Sequence, residues 1–577
     1  MSKQNKKNKA SVTLGPFGGI DARTPHTGAP TTCDVVNFRL GTDGSLIKRC
    51  GYRPFLSLNK SVRAVWSGKL FGDNYIFVLA DTSVLRIKPS AWQVTSIGKI
   101  ATASDQAQFC FYRDHLYLFV GEQIYQINES SISPVEAYAP LIGKDWSTTY
   151  VGQIFEPRNL LTRRARIEYL VDENYSVFFR TAWPVESIEA IYVNDRLLGT
   201  DEYRYDEPSK SIVIQDIDVG TRVCVYLTYL ENNDAAQAQE LLSCSRVDVF
   251  GDSANNRLFL WNGNQKNVFF PSVFVSSESL SVSKRHYPNS APLYFPANNE
   301  CILGDGRYDI TGFVRQYDRL IIFTEGDTWM VDTEALSEAS FSAKPIQPFL
   351  GCSTVGAYTM AENAPITVCQ KNVYQWSADT DEYSECTARS ILDPIRPLIE
   401  DDFFSTARVF HYRAAGEIWL YSPLNTDNVW IYRLADGIWY RFSNIQAEDF
   451  FEFDNRLYFV YDTQIYAFDP KYYEDMDKTN TTHVICASYT SNFIDYGIFH
   501  NKHFSGLSLS ADCDGGTVQV LLIGDGISPI QLSFSDLSPH TMAYRRLHSG
   551  RFQYATLQIL ADGHQRQIIH SLVSDVR

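Results

Sequence analysis

Asn455-Arg456-Leu457-Tyr458-Phe459-Val460, a short polar gap, then Gln464-Ile465-Tyr466-Ala467-Phe468: this stretch decides the fold. Two runs of apolar and aromatic β-formers separated by a few turn residues read as a β-hairpin. The pattern recurs. Asp114-His115-Leu116-Tyr117-Leu118-Phe119 precedes Gln123-Ile124-Tyr125-Gln126-Ile127. Further copies begin at Tyr75, Leu258, Leu320, Ile366 and Ile418, with second strands centred on Leu85, Phe269, Trp329, Tyr374 and Trp430. In all seven the second anchor follows the first by 8 to 12 residues.

The spacing of the copies carries the architecture. The steps from Tyr75 to Leu457 are 41, 142, 62, 46, 52 and 39 residues. Five of the six lie near the ~40–50 residue period of a β-propeller blade. A blade is a small twisted sheet that buries its two faces only against neighbouring blades. The step of 142 holds one blade and roughly a hundred extra residues, about the length of a small β-sandwich. The expected fold is all-β: a β-propeller of about seven blades with an inserted β-sandwich and a carboxy-terminal β-sandwich.

Composition agrees. Of 577 residues, 44% are apolar and 20% charged, with 34 Tyr, 35 Phe and 10 Trp against 5 Met. Aromatic and β-branched residues suit pleated, half-buried surfaces. The formal charge of −16 argues against a general grip on nucleic acid, which needs excess Lys and Arg. The 11 Cys are scattered without a Cys-x-x-Cys pair, so neither a disulfide framework nor a zinc site is expected. No apolar run approaches the ~20 residues of a membrane span, and no signal peptide is visible. Assembly in a cytoplasm is expected.

In chain order, residues 1–13, with Lys3, Lys6, Lys7 and Lys9, read as a disordered basic arm. Residues 14–62 read as an extended Gly-Pro arm and a hairpin, with Asp43-Gly44 supplying its turn. Residues 63–139 and 236–470 read as blades, and 140–235 as the inserted sandwich of short alternating strands. A short helix is expected at Asp234 to Leu242, and another after Thr387, capped by Asp393 with Pro394 first and Ile395, Leu398 and Ile399 on one face. Residues 471–482, polar and acidic, read as a linker, and 483–577 as the second sandwich.

The arm carries the order Gly18-Gly19-Ile20-Asp21-Ala22-Arg23, then Asp34-Val35-Val36-Asn37-Phe38, then Asp43-Gly44-Ser45-Leu46-Ile47-Lys48-Arg49-Cys50-Gly51-Tyr52. These forty or so residues resemble the amino-terminal signature of tailed-bacteriophage tail proteins: the tail tubular protein B or nozzle, and the packaged-DNA stabilisation proteins of short-tailed phages. Asn255-Asn256-Arg257-Leu258-Phe259-Leu260-Trp261 and Tyr317-Asp318-Arg319-Leu320-Ile321-Ile322-Phe323 agree with it. The resemblance implies a structural virion protein at the distal end of a short tail. It implies a homo-oligomeric ring, six copies by family, round a channel through which packaged DNA passes without sequence-specific binding. A tail adaptor and other tail proteins such as fibres are the implied partners. Gly18, Gly19, Asp21, Arg23, Asn37, Asp43, Gly44, Lys48, Arg49 and Gly51 form the expected assembly motif.

No catalytic, cofactor or metal site is expected. Phosphate-loop spacing and His-Glu-x-x-His are absent. Ser510-Ala511-Asp512-Cys513-Asp514-Gly515 approximates the turn of sialidase-like propellers, but it occurs once, lacks the Trp and lies outside the blades. A glycosidase needs two flanking carboxylates, which 67 acidic residues do not single out. A carbohydrate-binding propeller, such as a lectin-like or receptor-binding protein, and a propeller glycosidase stay as alternatives.

Overall fold

The computed structural model describes residues 9–23, 32–89, 93–102, 106–148, 150–172, 177–215, 217–230, 234–251, 256–273, 275, 293–331, 343–377, 387–498, 500–535, 537–538 and 542–577. The chain forms two compact units. One comprises residues 63–324 and 328–345, the other 1–62, 325–327 and 346–577.

The 63–345 unit holds four four-stranded antiparallel meanders. The first runs Val62–Leu70, Asp73–Ala80, Ser83–Lys88, Gln93–Lys99, and the second Gln108–Tyr112, His115–Phe119, Ile124–Ile127, Ile132–Pro134. The third is Arg246–Phe250, Arg257–Trp261, Val268–Pro271, Cys301–Ile302, and the fourth Ile310–Gln316, Arg319–Thr324, Thr328–Val331, Ala343–Gln347. Each expected hairpin is the central pair of its sheet, with Val78 opposite Leu85, Leu118 opposite Tyr125, Trp261 opposite Phe269 and Ile322 opposite Trp329. Successive meanders bury their faces against each other. Phe77 and Leu79 share a core with Phe109, Leu116 and Leu118. Tyr117 and Phe119 share one with Leu258, Leu260 and Phe270. Gln108 ties the second meander to the third: its Nε2 donates to Val247 O at 2.9 Å and its Oε1 accepts from Val247 N at 3.1 Å.

In chain order the inserted sandwich falls between those two meanders. A five-stranded sheet (Leu141–Trp146, Arg164–Leu170, Arg222–Tyr229, Val185–Val193, Arg196–Leu197) covers a three-stranded one (Phe178–Arg180, Ser211–Ile214, Tyr203–Asp206). Ile167, Tyr169, Phe179, Ile191, Ile212, Val225 and Leu227 fill its core. A helix at Ala235–Ser243 leads back to the meanders.

The other unit holds three more meanders. Tyr358–Ala361, Ala364–Cys369, Asn372–Ser377 and Thr387–Ser390 form one. Arg408–Tyr412, Glu417–Tyr421, Asn428–Arg433 and Ile438–Ser443 form the next, within a nine-stranded sheet. The last is Asp449–Phe453, Arg456–Tyr461 and Gln464–Asp469, and its fourth strand is Gly51–Ser57. In the carboxy-terminal sandwich, Ala487–Ser491, Ala555–Ala561, Thr517–Gly524 and Ile530–Ser535 form one layer. Phe504–Cys513, Gln567–Val576 and Met542–Arg546 belong to the other, with Phe38–Leu40, Leu46–Lys48 and Ala10–Leu14 from the chain's beginning.

Four expectations are corrected. The stretch 1–13 is not wholly disordered: Ala10–Leu14 pairs with Leu572–Val576, because Ala-Ser-Val-Thr-Leu alternates with the period of a strand. Residues 1–8, with Lys3, Lys6 and Lys7, lie outside the described residues. The stretch 14–62 is not separate from the blades, since Gly51–Ser57 completes the last one. The stretch 471–482 is not a plain linker: it contributes to a hairpin, Glu474–Met476 with Thr482–Val484, whose Asp475 is buried. Thr387–Ser390 is a strand, and only a 3₁₀ turn at Arg396–Leu398 follows. Ile395 and Ile399 are buried but Leu398 is exposed: the turn is three residues long, Ile395 and Ile399 flank it, and Ile399 has already returned to extended backbone, so no single helical face carries all three.

Candidate functional site

The signature residues converge on a seam within the 346–577 unit. Thr32–Val36 is its central strand. It pairs antiparallel with Ala487–Ser491 and, through Val36, parallel with Arg441 of Ile438–Ser443. A blade sheet and a sandwich sheet thereby become one sheet of nine strands. Two flanking segments, Phe38–Leu40 and Leu46–Lys48, pair with each other, and the second pairs with Gln567–Val576 of the opposite layer.

Asn37 stands where the chain leaves the first sheet for the second, at φ +56°. Asn is among the few residue types that adopt this left-handed region readily. Its side chain is saturated. Nδ2 donates to Ser443 Oγ and Cys486 O, both at 2.8 Å. Oδ1 accepts from Arg49 Nε and Ser443 N, both at 2.9 Å.

Arg49, 1% exposed, uses all five of its N–H donors. Nε serves Asn37. Nη1 reaches Asp475 Oδ1 at 2.8 Å and Cys50 O at 3.1 Å. Nη2 reaches Asp475 Oδ2 at 2.6 Å and Ser443 O at 3.1 Å. The paired, bidentate contact is what permits a guanidinium in this interior. Lys48, also 1% exposed, donates Nζ to Gly563 O, and burial pushes its ammonium down to about 8.

The glycines are sites of close approach. A Cβ on Gly19 would lie 2.6 Å from Ile438 Cβ and 3.1 Å from Trp439 N. One on Gly51 would run into the Glu474 carbonyl, and one on Gly44, at φ +76°, into Pro16. Gly18 is half-buried in the coil before Gly19. Asp43 Oδ1 accepts from Ser45 N and Oγ at 3.0 and 2.7 Å, which closes the turn and holds its carboxyl below the usual range. Asp21 and Arg23 form a more exposed pair, Arg23 Nη2 to Asp21 Oδ2 at 2.6 Å.

Sequence reasoning missed the partners. Asp475 was hidden among Glu474, Asp477 and Lys478, a composition typical of solvated loops. Arg441 holds Asp34 bidentately at 2.9 and 2.6 Å. The Glu417 carboxylate is enclosed by Arg39 Nη2 at 3.0 Å, Trp419 Nε1 at 3.0 Å and Tyr440 Oη at 2.6 Å. Only the strand context of Glu417, a carboxylate in an otherwise apolar run Ile418-Trp419-Leu420-Tyr421, hinted at a buried partner.

Chemically the heart of the seam is closed: the Asn37 amide, the Arg49 guanidinium and the Asp475 carboxylate are spent on one another and on Ser443, Cys50 and Cys486. Beside it lies an open cleft of about 960 Å³ with a mixed lining, in which Glu362, Gln375, His411, Arg413 and Asp436 alternate with apolar residues such as Met360 and Leu434. Among the described residues no three His, Cys, Asp or Glu side chains cluster as metal ligands, and no helix is long and apolar enough to cross a membrane.

No protein-family model matches the chain, and no curated protein does. Among solved structures, a chain from the mitotic checkpoint complex is 8% identical, with 72% of this chain and 93% of that one covered, at a TM-score of 0.34. The WD40 domain of SCAP from fission yeast is 7% identical, with 72% and 94% covered, at 0.31. The AfRom2 CNH domain is 6% identical, with 73% and 99% covered, at 0.35. The assignment stands on the strand pairing itself: the chain is an all-β protein of the β-propeller class that carries two β-sandwiches.

Proposed function

We propose that this chain is a structural virion protein, the distal nozzle or hub of a short phage tail. Copies form a closed ring round the DNA channel, retain the packaged genome and open for ejection. One observation carries the reading. The signature residues Gly19, Asn37, Gly44, Arg49 and Gly51 build a closed structural seam and line no reaction site. Resemblance in these residues is therefore resemblance in architecture, which is what a structural tail protein preserves. The role is mechanical, without catalysis or cofactor. Its partners are further copies of the chain, a tail adaptor, other tail proteins such as fibres, and DNA in transit. A charge of −16 keeps phosphate from adhering to the surface it passes.

The test is the native mass of the full chain, together with the genome content of particles assembled without it. A closed multiple of 65.6 kDa and particles that lose their DNA are expected. A monomer at every concentration, with particles that stay full, would overturn the proposal.

A further inference from the structure

Met542–Arg546 is an edge strand. It pairs on one side with Gly506–Ser510 of the Phe504–Cys513 strand, and among the described residues no strand pairs with its other side. Unprotected edges invite another chain, and proteins usually blunt them. This one presents Met542, 57% exposed, and Tyr544, 53% exposed, on the same face as Arg546. Tyr, Met and Arg are the residue types enriched at protein interfaces. Their neighbours across the strand pair are Ser510, Ser508 and Gly506, all small, so the patch is flat. Tyr544 lies over Gly506, where a Cβ would come within 2.5 Å of its hydroxyl.

Charge selects the occupant. Residues 542–551 hold Arg545, Arg546 and Arg551 and no acid, on a chain of net charge −16. In the last blade, residues 448–469 hold six acids and one Arg, and the fourth strand, Gly51–Ser57, adds only Arg53. Lys478 stands 3.6 Å from Asp462 and offsets one of them. Exposed Asp454 and Asp462 sit at the two turns of this blade, at φ +50° and +57°. A basic, aromatic edge and an acidic blade on one chain are two different patches. Contact between them is head-to-tail, the kind of interface that closes into a ring.

We infer that the Met542–Arg546 edge docks on a second copy of this chain, against the acidic last blade. This deepens the ring reading and rests on it.

The experiment compares self-association of the full-length wild type, Tyr544→Ala/Arg546→Glu and Asp454→Asn/Asp462→Asn by sedimentation velocity, with thermal melting as a fold control. Asn keeps the left-handed turns, and all four side chains are exposed, so the variants fold. Each double variant is expected to weaken association by about tenfold or more, and the wild-type association to weaken as salt rises. If the wild type assembles and both variants assemble equally well, the edge is not the interface, though the ring reading survives. A wild type that never assembles removes both. If Tyr544→Ala/Arg546→Glu instead loses affinity for duplex DNA while its mass distribution stays that of the wild type, the edge is a phosphate contact and the inference fails.

Discussion

Arg49 and Asp475 lie 426 positions apart in the chain and are held in a two-point contact with almost no water beside them. Such a pair adds little net stability over a well-packed apolar pair, but removing one member strands the other. Arg49→Met or Asp475→Asn should therefore lower unfolding stability by about 3–5 kcal/mol in denaturant titration. The double change Arg49→Met/Asp475→Leu should recover part of that loss, the Cys50 and Ser443 carbonyls staying without their donor. Lys48 gives a pH-dependent counterpart. Its folded pKa of about 8 lies below the ordinary 10.5 because burial disfavours the ammonium. At this site the unfolded chain then binds more protons than the folded one between those values, so the Lys48 contribution to stability rises from pH 8 to 10.5. Lys48→Met should flatten that rise, by on the order of 2–3 kcal/mol, when wild type and variant are unfolded side by side across the range.

At the scale of elements, Gly51–Ser57 closes the last blade from a distant part of the chain. It brings Tyr52 against Phe459, Tyr466 and Phe468, at centroid distances of 5.0, 5.5 and 6.0 Å. Tyr52→Ala should cost about 2–3 kcal/mol by thermal or chemical melting. Deletion of residues 1–57 should leave the last three blades without a cooperative transition in thermal melting, because the last blade loses its fourth strand. The strand was illegible because it contains Pro54, which argues against a sheet interior. It occupies an outer edge, and the pairing shifts register between Leu56 and Pro54, so the missing N–H is tolerated. The central hairpins were legible for the opposite reason. Leu457 to Val460 and Ile465 to Tyr466 are buried, and a strand covered on both faces is written as a continuous apolar run. Outer strands such as Ile132–Pro134 and Thr387–Ser390 are short and half-exposed, so their sequence carries little period.

For the molecule as a whole, the signature was readable as a pattern, but its role was not. Arg49 shows no partner within a dozen residues except Asn37 and Cys50; the rest arrive from Ser443 and Asp475 through tertiary folding alone. That wiring has a thermodynamic consequence. In the 346–577 unit, Thr32–Val36 makes one sheet of a blade and a sandwich layer, and Phe38, Leu46, Val35 and Tyr489 are buried along it. Hydrogen bonds and apolar contacts that cross the seam cannot be lost from one side alone. The blade Arg408–Ser443 and the sandwich strands should thus open together, as one cooperative block. Native-state hydrogen exchange would measure this. The amides of Ile431 in the blade, Arg49 in the seam and Val520 in the sandwich should exchange with the same free energy and the same denaturant dependence. Asn37→Ala removes four side-chain hydrogen bonds and places a residue with an ordinary side chain at positive φ. It should lower all three exchange energies together, by about 2–4 kcal/mol. If the Val520 amide falls while Ile431 keeps its protection, the seam does not couple the two, and the arm is only a strap lying across independently stable halves.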